Sequence, residues 1–252
     1  MTRHLADRVV VVAGSTSAAG IAVVKELAAA GARVAAADLL EDRVRELASA
    51  HQNVTGYVCN LADAGAVNDL ARQVRKDLGP IDGLIHLVGG WRGGGGIQDQ
   101  LDADWDFLHT SVLTTLRNTS RAFYADLAES PVGRLAIVSA EAAANPTADG
   151  AAYAAVKCAA EAWTLAVADG FRRTQSGTAP LEPLTSAAVV LVVKALVDDK
   201  MRAAEPHRKF PGFTDVSVLA TVVSELFQRA AADVNGKRLP AEHVLPVAGV
   251  LA

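Results

Sequence analysis

Short apolar runs rich in β-branched residues recur along the chain, and each ends in a small or polar turn. Several runs are apolar at both alternating positions, which is typical of strands covered by helices on both faces. These runs predict six strands, at residues 8–13, 33–37, 54–58, 82–88, 134–139 and 187–193.

Helical periodicity fills the segments between and after these runs, and Gly31 marks the end of the first helix. The predicted helices cover residues 19–30, 41–51, 64–78, 102–127, 150–171 and 215–232. Alternating strands and helices of this length indicate repeated βαβ units. The expected fold is therefore α/β, a Rossmann-type doubly wound parallel sheet flanked by helices on both faces. Residues 173–184, which include Gly177, Pro180 and Pro183, are predicted to form a mobile loop.

The composition favours one soluble domain spanning residues 1–252, because 51% of the residues are apolar and 21% are charged. The net charge is −4 and the basic residues are scattered, so we expect no nucleic-acid partner. The longest apolar run, 187–193, is too short to span a bilayer, and the N-terminus has no signal-like pattern. We therefore expect a cytoplasmic protein with no membrane partner. No cluster of histidines and cysteines has metal-ligand spacing, so no metal is expected.

The turn after the first strand, AGSTSAAG, carries small residues at Gly14, Ala18 and Gly20. A dinucleotide site needs small residues there, because the backbone must approach the pyrophosphate at a helix N-terminus. The alternative is that the glycines serve the geometry of the turn alone.

Asp38 closes the second strand about twenty residues further on, where an acid binds the hydroxyls of the adenosine ribose. A carboxylate there repels a 2′-phosphate, and Leu39 stands where an NADP-binding protein often has arginine, so NAD is the predicted cofactor. The alternative is that Asp38 caps the helix beginning near Glu41.

Tyr153 and Lys157, in the stretch YAAVK, share one face of a predicted helix. An ammonium near a phenol favours the phenolate, so we expect Lys157 to lower the pKa of Tyr153 and to suit it for proton transfer. The alternative is a packed aromatic beside a solvated charge.

Together the glycine turn, Asp38, the fourth strand ending at Gly89 and the YxxxK helix resemble the short-chain dehydrogenase/reductase family over the whole length. The resemblance implies an NAD(P)-dependent oxidoreductase with a small-molecule substrate. It implies that Gly14, Ala18, Gly20, Asp38 and Gly89 bind the cofactor, that Tyr153 transfers the proton, and that Lys157 holds the nicotinamide ribose. It also implies a homodimer or homotetramer built on the two long helices.

The chain departs from the family pattern where a carbonyl oxygen is usually held. The family serine, thirteen residues before the tyrosine, is Ala140 here, and Ser139 lies next to it. A one-residue adjustment could bring the Ser139 hydroxyl into the catalytic position, so Ser139 remains a candidate. The family asparagine falls near position 112, where the chain has Ser111 and Val112, and Asn118 lies too far along.

The stretch LVGGWRGGGG, residues 87–96, resembles the quinonoid dihydropteridine reductase branch, as do Ala18, Ala140 and the segment from Asp198 to Met201. The resemblance implies that hydride from NADH reaches a planar quinonoid or carbonyl molecule, with Trp91 offering a flat face to the substrate. Such an acceptor develops no localised alkoxide, so it needs fewer oxyanion donors. The structural alternative is that Trp91 plugs the edge of the core and the glycines form a slack surface loop.

Two other functions remain open at this point. The chain could be a ketone or secondary-alcohol dehydrogenase that uses Ser139, or a catalytically silent NAD-binding module.

Overall fold

The computed structural model describes residues 4–175 and 183–241, and its centre is a parallel sheet. Seven strands pair in the order β3-β2-β1-β4-β5-β6-β9, and every pairing in this sheet is parallel. The strands of the described residues are, in chain order, β1 (Val9–Ala13), β2 (Arg33–Asp38), β3 (Val54–Val58), β4 (Gly83–His86), β5 (Arg134–Ala140), β6 (Ala187–Val193), β7 (Leu196–Val197), β8 (Thr214–Asp215) and β9 (Arg238–Pro240). β7 and β8 form a separate two-stranded parallel pair.

Helices cover both faces of the sheet, which confirms the predicted Rossmann-type α/β fold. In chain order they are α1 (Ala18–Ala29), α2 (Glu41–Ser49), α3 (Ala64–Leu78), α4 (Asp102–Leu108), α5 (Thr115–Glu129), α6 (Ala151–Gln175), α7 (Asp199–Ala204), α8 (Val216–Glu225) and α9 (Ala231–Val234). Alternate residues of β1 divide between the two cores: Val10 and Val12 pack with α1 and α8, whereas Val9 and Val11 pack with α3, α5 and α6. This burial on both sides explains why the central strands are apolar throughout.

All six predicted strands are present, and the differences from the predicted helices are local. The helix predicted at 102–127 is interrupted by a π-helical segment, His109–Thr114, between α4 and α5. Of the helix predicted at 215–232, the α-helical part ends at Glu225, and a single 3-10 turn, Leu226–Gln228, follows it. Of the predicted mobile loop, residues 173–175 belong to α6, and residues 176–182 lie outside the described part of the chain.

The start of β5 is fixed by a buried guanidinium. Arg134 is 3% exposed, and its side chain donates to four carbonyl oxygens, those of Gly133, Thr185, Leu226 and Arg229, at 2.7–2.9 Å. Burial lowers the pKa of Arg134 to about 10, so the side chain stays charged at neutral pH. This guanidinium therefore links the base of β5 to the segment before β6 and to the residues after α8, while the Gly133 and Leu226 carbonyls also accept from the Ala187 and Arg229 N–H groups.

We predict that Arg134→Ala lowers the free energy of unfolding by about 3 kcal/mol, because four hydrogen bonds from one buried guanidinium are lost together. Urea denaturation followed by circular dichroism measures the change. The matched control is Arg172→Ala, which removes an exposed arginine paired with Asp169 and should change stability by no more than about 0.5 kcal/mol. A loss for Arg134→Ala no larger than that of the control would contradict this account of β5.

Candidate active site

A long cleft opens at the carboxyl edge of the sheet, where the chain order reverses between β1 and β4. Open α/β sheets bind ligands at this switch point. The cleft has two adjoining cavities of about 680 Å³ and 840 Å³. Both are lined by Ser17 and by residues 87–89, so the β4 exit lies on the boundary between them.

Steric contacts explain why the turn after β1 carries glycines. Gly14 has φ +83°, and a Cβ there would lie 2.8 Å from the backbone nitrogen of Val88, so the turn touches the β4 exit. A Cβ at Gly20 would lie 2.3 Å from the Gly14 carbonyl oxygen. Ser17 caps α1 by accepting a hydrogen bond from the Gly20 N–H at 3.0 Å. Ala18 is the first residue of α1 and is exposed in the larger cavity, where a glycine is not required.

Asp38 reaches back to this turn instead of capping the next helix. Its Oδ2 accepts from the Thr16 N–H at 3.0 Å and from the Thr16 hydroxyl at 2.9 Å, and Oδ1 accepts from the Leu39 N–H at 2.7 Å. The residue before α2 is Leu40, which makes no side-chain cap, so the helix-cap alternative for Asp38 is wrong. Asp38 and Arg43 both line the smaller cavity. Sequence reasoning missed Arg43, because an arginine in the first helical turns is usually a solvated charge.

Tyr153 and Lys157 come together on α6 in the larger cavity, as their spacing predicts. Tyr153 is half-buried, and its hydroxyl has no hydrogen-bond partner within residues 4–175 and 183–241. Lys157 is 8% exposed, and its Nζ donates to the Val138 carbonyl of β5 at 2.9 Å. A Cβ on Gly89 would lie 3.9 Å from this Nζ, so the bare backbone at Gly89 leaves room beside the ammonium.

The electrostatics of the pair differ from the expectation. Burial raises the pKa of Tyr153, so the predicted lowering by Lys157 is wrong for the structure described. The cause is desolvation of the phenol, and Lys157 Nζ, 5.7 Å from the Tyr153 ring centroid, is directed to the Val138 carbonyl instead. Burial lowers the pKa of Lys157 to about 8, and the carboxylate of Glu161 acts in the opposite direction.

Ser139 does not take the place of the missing serine in this structure. Its hydroxyl donates to Glu161 of α6, and no hydrogen bond joins it to Tyr153 in the described part of the chain. The one-residue adjustment considered above does not occur, because β5 stays in register with β6 through Ser139 and Ala140. Neighbouring strand residues face opposite ways, so the hydroxyl at 139 and the methyl at 140 cannot exchange places.

His86, at the end of β4, is a buried histidine with two hydroxyl partners. Nε2 lies 3.1 Å from the Thr115 hydroxyl and Nδ1 lies 3.1 Å from the Thr119 hydroxyl. Burial, and secondly the charge of Lys157, lowers the pKa of His86 to about 3, which keeps the ring neutral. Where the family asparagine was expected, Val112 is buried and Ser111 lies in the π-helical segment, its carbonyl accepting from Thr115. Asn118 instead holds the carbonyls of Leu61 and Ala62.

The glycine-rich segment forms one wall of the larger cavity. Trp91 lines the cavity and is 61% exposed, so the alternative that it plugs the core is wrong. A Cβ on Gly90 would lie 2.9 Å from Cε1 of Phe107, and one on Gly93 would lie 2.7 Å from the Asp149 carbonyl. The Gly94 N–H donates to the same carbonyl at 2.8 Å. The glycines thus allow close contact with α4 and with the segment before α6, which a slack loop would not make.

The opposite wall comes from the segment after β6. Asp198 caps α7 by accepting from the Met201 N–H at 2.7 Å, and both residues line the cavity. Arg208 and Phe213 also line it, and the Arg208 guanidinium lies 5.7 Å from the Phe213 ring centroid. Sequence reasoning missed both residues, since only tertiary packing brings residues 208–213 over the cleft.

In the part of the chain that the structure describes, no helix combines the length and apolar character needed to cross a membrane. The same residues contain no group of three or more histidine, cysteine or acidic side chains that could hold a metal ion.

The sheet order and the cleft at its switch point define a Rossmann-type α/β protein. A family model described as short chain dehydrogenase matches residues 8–177, so the chain belongs to the short chain dehydrogenase family. A curated relative, 2,3-dihydro-2,3-dihydroxybenzoate dehydrogenase of Bacillus subtilis (strain 168), is 28% identical over 166 residues. The match covers 64% of this chain and 63% of the relative, so this chain spans less than two thirds of the relative's length.

Solved structures share the fold at low sequence identity. NAD+-bound xylitol dehydrogenase superposes with a TM-score of 0.76 at 18% identity, covering 94% of this chain and 98% of that one. A short chain dehydrogenase from Burkholderia cenocepacia J2315 in complex with NADP gives a TM-score of 0.77 at 20% identity, covering 94% and 97%. Structures with this fold therefore include complexes with both forms of the nicotinamide cofactor.

Proposed function

We propose that the protein is a nicotinamide-dependent oxidoreductase that transfers hydride from NADH to a planar quinonoid small molecule, resembling dihydropteridine reductase. The observation that carries the proposal is the composition of the larger cavity. Tyr153 lines it with a hydroxyl that has no partner in the described chain, whereas Ala140 and the Glu161-bound Ser139 supply no second donor.

The residues of the cleft fit a dinucleotide. The pyrophosphate would lie on the Gly14 to Gly20 turn and the N-terminus of α1, where a Cβ at either glycine would meet backbone. Asp38 would accept from the adenosine ribose hydroxyls, Gly89 would pass beside the nicotinamide, and Lys157 would hold the nicotinamide ribose. When bound, the cofactor supplies the hydride.

Tyr153 would deliver the proton that must accompany the hydride. Its raised pKa keeps the phenol protonated at neutral pH, which suits a proton donor. The buried ammonium of Lys157, fixed by the Val138 carbonyl, would favour the phenolate left after the transfer. Both groups belong to one helix, so their separation is set by the helix and does not depend on a loop.

The substrate class is inferred from the surroundings of Tyr153 in the described residues, where Ala140 and the Glu161-bound Ser139 leave no serine hydroxyl free beside it. A ketone becoming an alkoxide needs several donors around one oxygen, and loss of one such donor commonly costs about 3 kcal/mol. A conjugated quinonoid ring spreads the incoming charge, so one proton donor suffices. The exposed ring of Trp91 would stack on the flat substrate, and the Asp149 and Asp198 carboxylates near it would accept from ring N–H groups.

NAD is proposed over NADP because of the Asp38 carboxylate. Thr16 and Leu39 hold it at the cavity wall, and a 2′-phosphate there would meet a fixed negative charge. Arg43 lines the same cavity and is the residue that could offset this repulsion. We also propose a cytoplasmic homodimer or homotetramer, with α4, α5 and α6 at the interface.

A second candidate, a ketone or secondary-alcohol dehydrogenase that uses Ser139, is favoured by the similarity to a 2,3-dihydro-2,3-dihydroxybenzoate dehydrogenase. The third, a catalytically silent NAD-binding module, does not explain a half-buried tyrosine beside a buried lysine, since neither is needed merely to hold NAD.

We predict that the protein oxidises NADH with chemically generated quinonoid dihydropterin, and that Tyr153→Phe lowers kcat by about 10²-fold or more through loss of the proton donor. Stopped-flow absorbance at the NADH band, with a parallel panel of ketones, measures the rates. Fluorescence titration should show the NADH Kd changed by less than about threefold, since the phenol does not hold the pyrophosphate.

The matched control is Tyr124→Phe, which removes a phenol on α5 that bonds Thr174 outside the cleft. Full activity in both variants would contradict the assignment of Tyr153. Tight NADH binding by the wild-type protein with no turnover of any acceptor would support the silent module instead.

We predict that Asp38→Asn shifts the ratio of kcat/KM for NADPH to kcat/KM for NADH toward NADPH by about tenfold or more. The change removes the charge facing the 2′-phosphate and leaves Arg43 in place. Steady-state kinetics with both cofactors measures the ratio. The control, Asp42→Asn, removes a neighbouring exposed carboxylate of α2 and should leave it unchanged. A wild-type preference for NADPH would overturn the cofactor proposal.

We predict that Ser139→Ala lowers kcat/KM for the quinonoid acceptor by less than about fivefold, because its hydroxyl is bound to Glu161. An oxyanion donor at this position would instead be worth about 10²- to 10³-fold in kcat. The converse variant, Ala140→Ser, introduces a hydroxyl at the position where the family has serine. Assays with ketones then test whether this variant gains ketone reduction. A loss of about 10²-fold or more in Ser139→Ala would favour the second candidate.

A further inference from the structure

Two consecutive residues of β5 form hydrogen bonds with two charged side chains of α6, which lie one helical turn apart. The Val138 carbonyl accepts from Lys157 Nζ at 2.9 Å, and the next residue, Ser139, donates its hydroxyl to Glu161. Residues four apart on a helix share a face, so both side chains extend from the face of α6 that packs on β5.

Glu161 is held from a second direction by Arg238 of β9. Arg238 Nε lies 3.0 Å from Oε2 of Glu161, and Nη2 donates to the Ala140 carbonyl at 3.3 Å. The Glu161 side chain is 14% exposed, so this is a largely buried carboxylate with two donors. Hydrogen bonds from these two donors fix the carboxylate in position.

Lys157 forms no direct ion pair with any of the residues that the structure describes. Its hydrogen bond in the described structure goes to a neutral carbonyl, although its side chain is buried. A buried ammonium with only a dipole as partner tends to lose its proton. The nearest source of compensating charge is therefore decisive for its protonation.

Within the described residues, the resolved interactions of Lys157 with titratable groups involve its own helix and β4. Tyr153 and Glu161 lie on its own helix, and His86, which is neutral, faces it from β4. β9 contributes Arg238, which contacts Glu161. β6, also packed on α6, is AAVVLVV and contributes no charge.

We propose that Glu161 is a positioning residue for the Lys157 ammonium: held by Ser139 and Arg238, it supplies the negative charge that keeps this buried lysine protonated beside Tyr153. The role of Lys157 in proton transfer rests on the proposed function above, whereas its protonation can be measured without any turnover. Ser139 thereby acts through Glu161 and not on the substrate.

Two variants are expected to shift the Lys157 pKa in opposite directions. Glu161→Gln removes the negative charge but keeps an acceptor for Ser139 and Arg238, so the Lys157 pKa falls below its value of about 8. Arg238→Gln removes the positive charge that competes for Glu161, so the carboxylate acts more strongly on Lys157 and the pKa rises. A role confined to stability would not move the two variants in opposite directions.

The experiment is a pH titration of the lysine Cε–H signals by NMR on the full chain, with Lys157 assigned by the signal missing in Lys157→Arg. We expect the Lys157 midpoint to fall by about half a pH unit or more in Glu161→Gln and to rise in Arg238→Gln. Glu161→Asp, which keeps the charge, should restore part of the shift. Unchanged midpoints in both charge variants, or shifts of the same sign, would overturn the proposal.

The matched control is Asp169→Asn, which removes a carboxylate from α6 three turns further along, where it pairs with Arg172 and Arg173. It should leave the Lys157 midpoint unchanged, and a shift as large as that of Glu161→Gln would overturn the proposal by showing a general charge effect. The high-pH limb of kcat/KM is the second readout and should move with the midpoint. If the midpoint moves but this limb does not, the inference about Glu161 stands and the catalytic role of Lys157 fails.

Discussion

The arrangement of the cleft depends on the hydrogen bond that the buried Lys157 ammonium donates to the Val138 carbonyl. The ammonium joins α6 to β5 through the Val138 carbonyl, and it faces Tyr153, Glu161 and the neutral His86. A charge in this position must be stabilised by fixed dipoles and by a carboxylate one turn away, since water has little access to it. The polar network of β4, β5, α6 and β9 meets that requirement.

This arrangement also accounts for what is missing from the site. The strand position that carries a serine in the pattern of the short-chain dehydrogenase/reductase family is Ala140 here. The hydroxyl of the neighbouring Ser139 is directed to Glu161. In the proposed mechanism proton transfer is separated from oxyanion binding, because within the described residues neither Ala140 nor the Glu161-bound Ser139 offers a free hydroxyl beside Tyr153. The apolar methyl at 140, the exposed Trp91 ring and the close-packed glycine segment make the cavity suitable for a flat, charge-delocalised ligand.

Residues at both ends of the strands contribute by fixing the strands that end at the cleft. Gly14 contacts the β4 exit, and Asp38 ties the end of β2 to the first turn through Thr16, so three parallel strands are joined at the edge where the cavities meet. Arg134 fixes the start of β5 at the opposite edge of the sheet, where its guanidinium donates hydrogen bonds to four carbonyl oxygens. Rigid strand ends of this kind position the side chains that follow them.

Elements with strong local signals could be predicted from the amino-acid sequence: the six apolar strands, the small-residue turn, the acid at the end of β2 and the shared face of Tyr153 and Lys157. Each follows from a period or a steric need that neighbouring residues express. The structure decided what depends on contacts distant in sequence: Ser139 with Glu161, Arg238 beside them, and Arg43 and Arg208 on the cavity walls. Burial likewise reversed the expected direction of the Tyr153 pKa, because desolvation depends on the whole packed environment and a spacing of four residues does not record it.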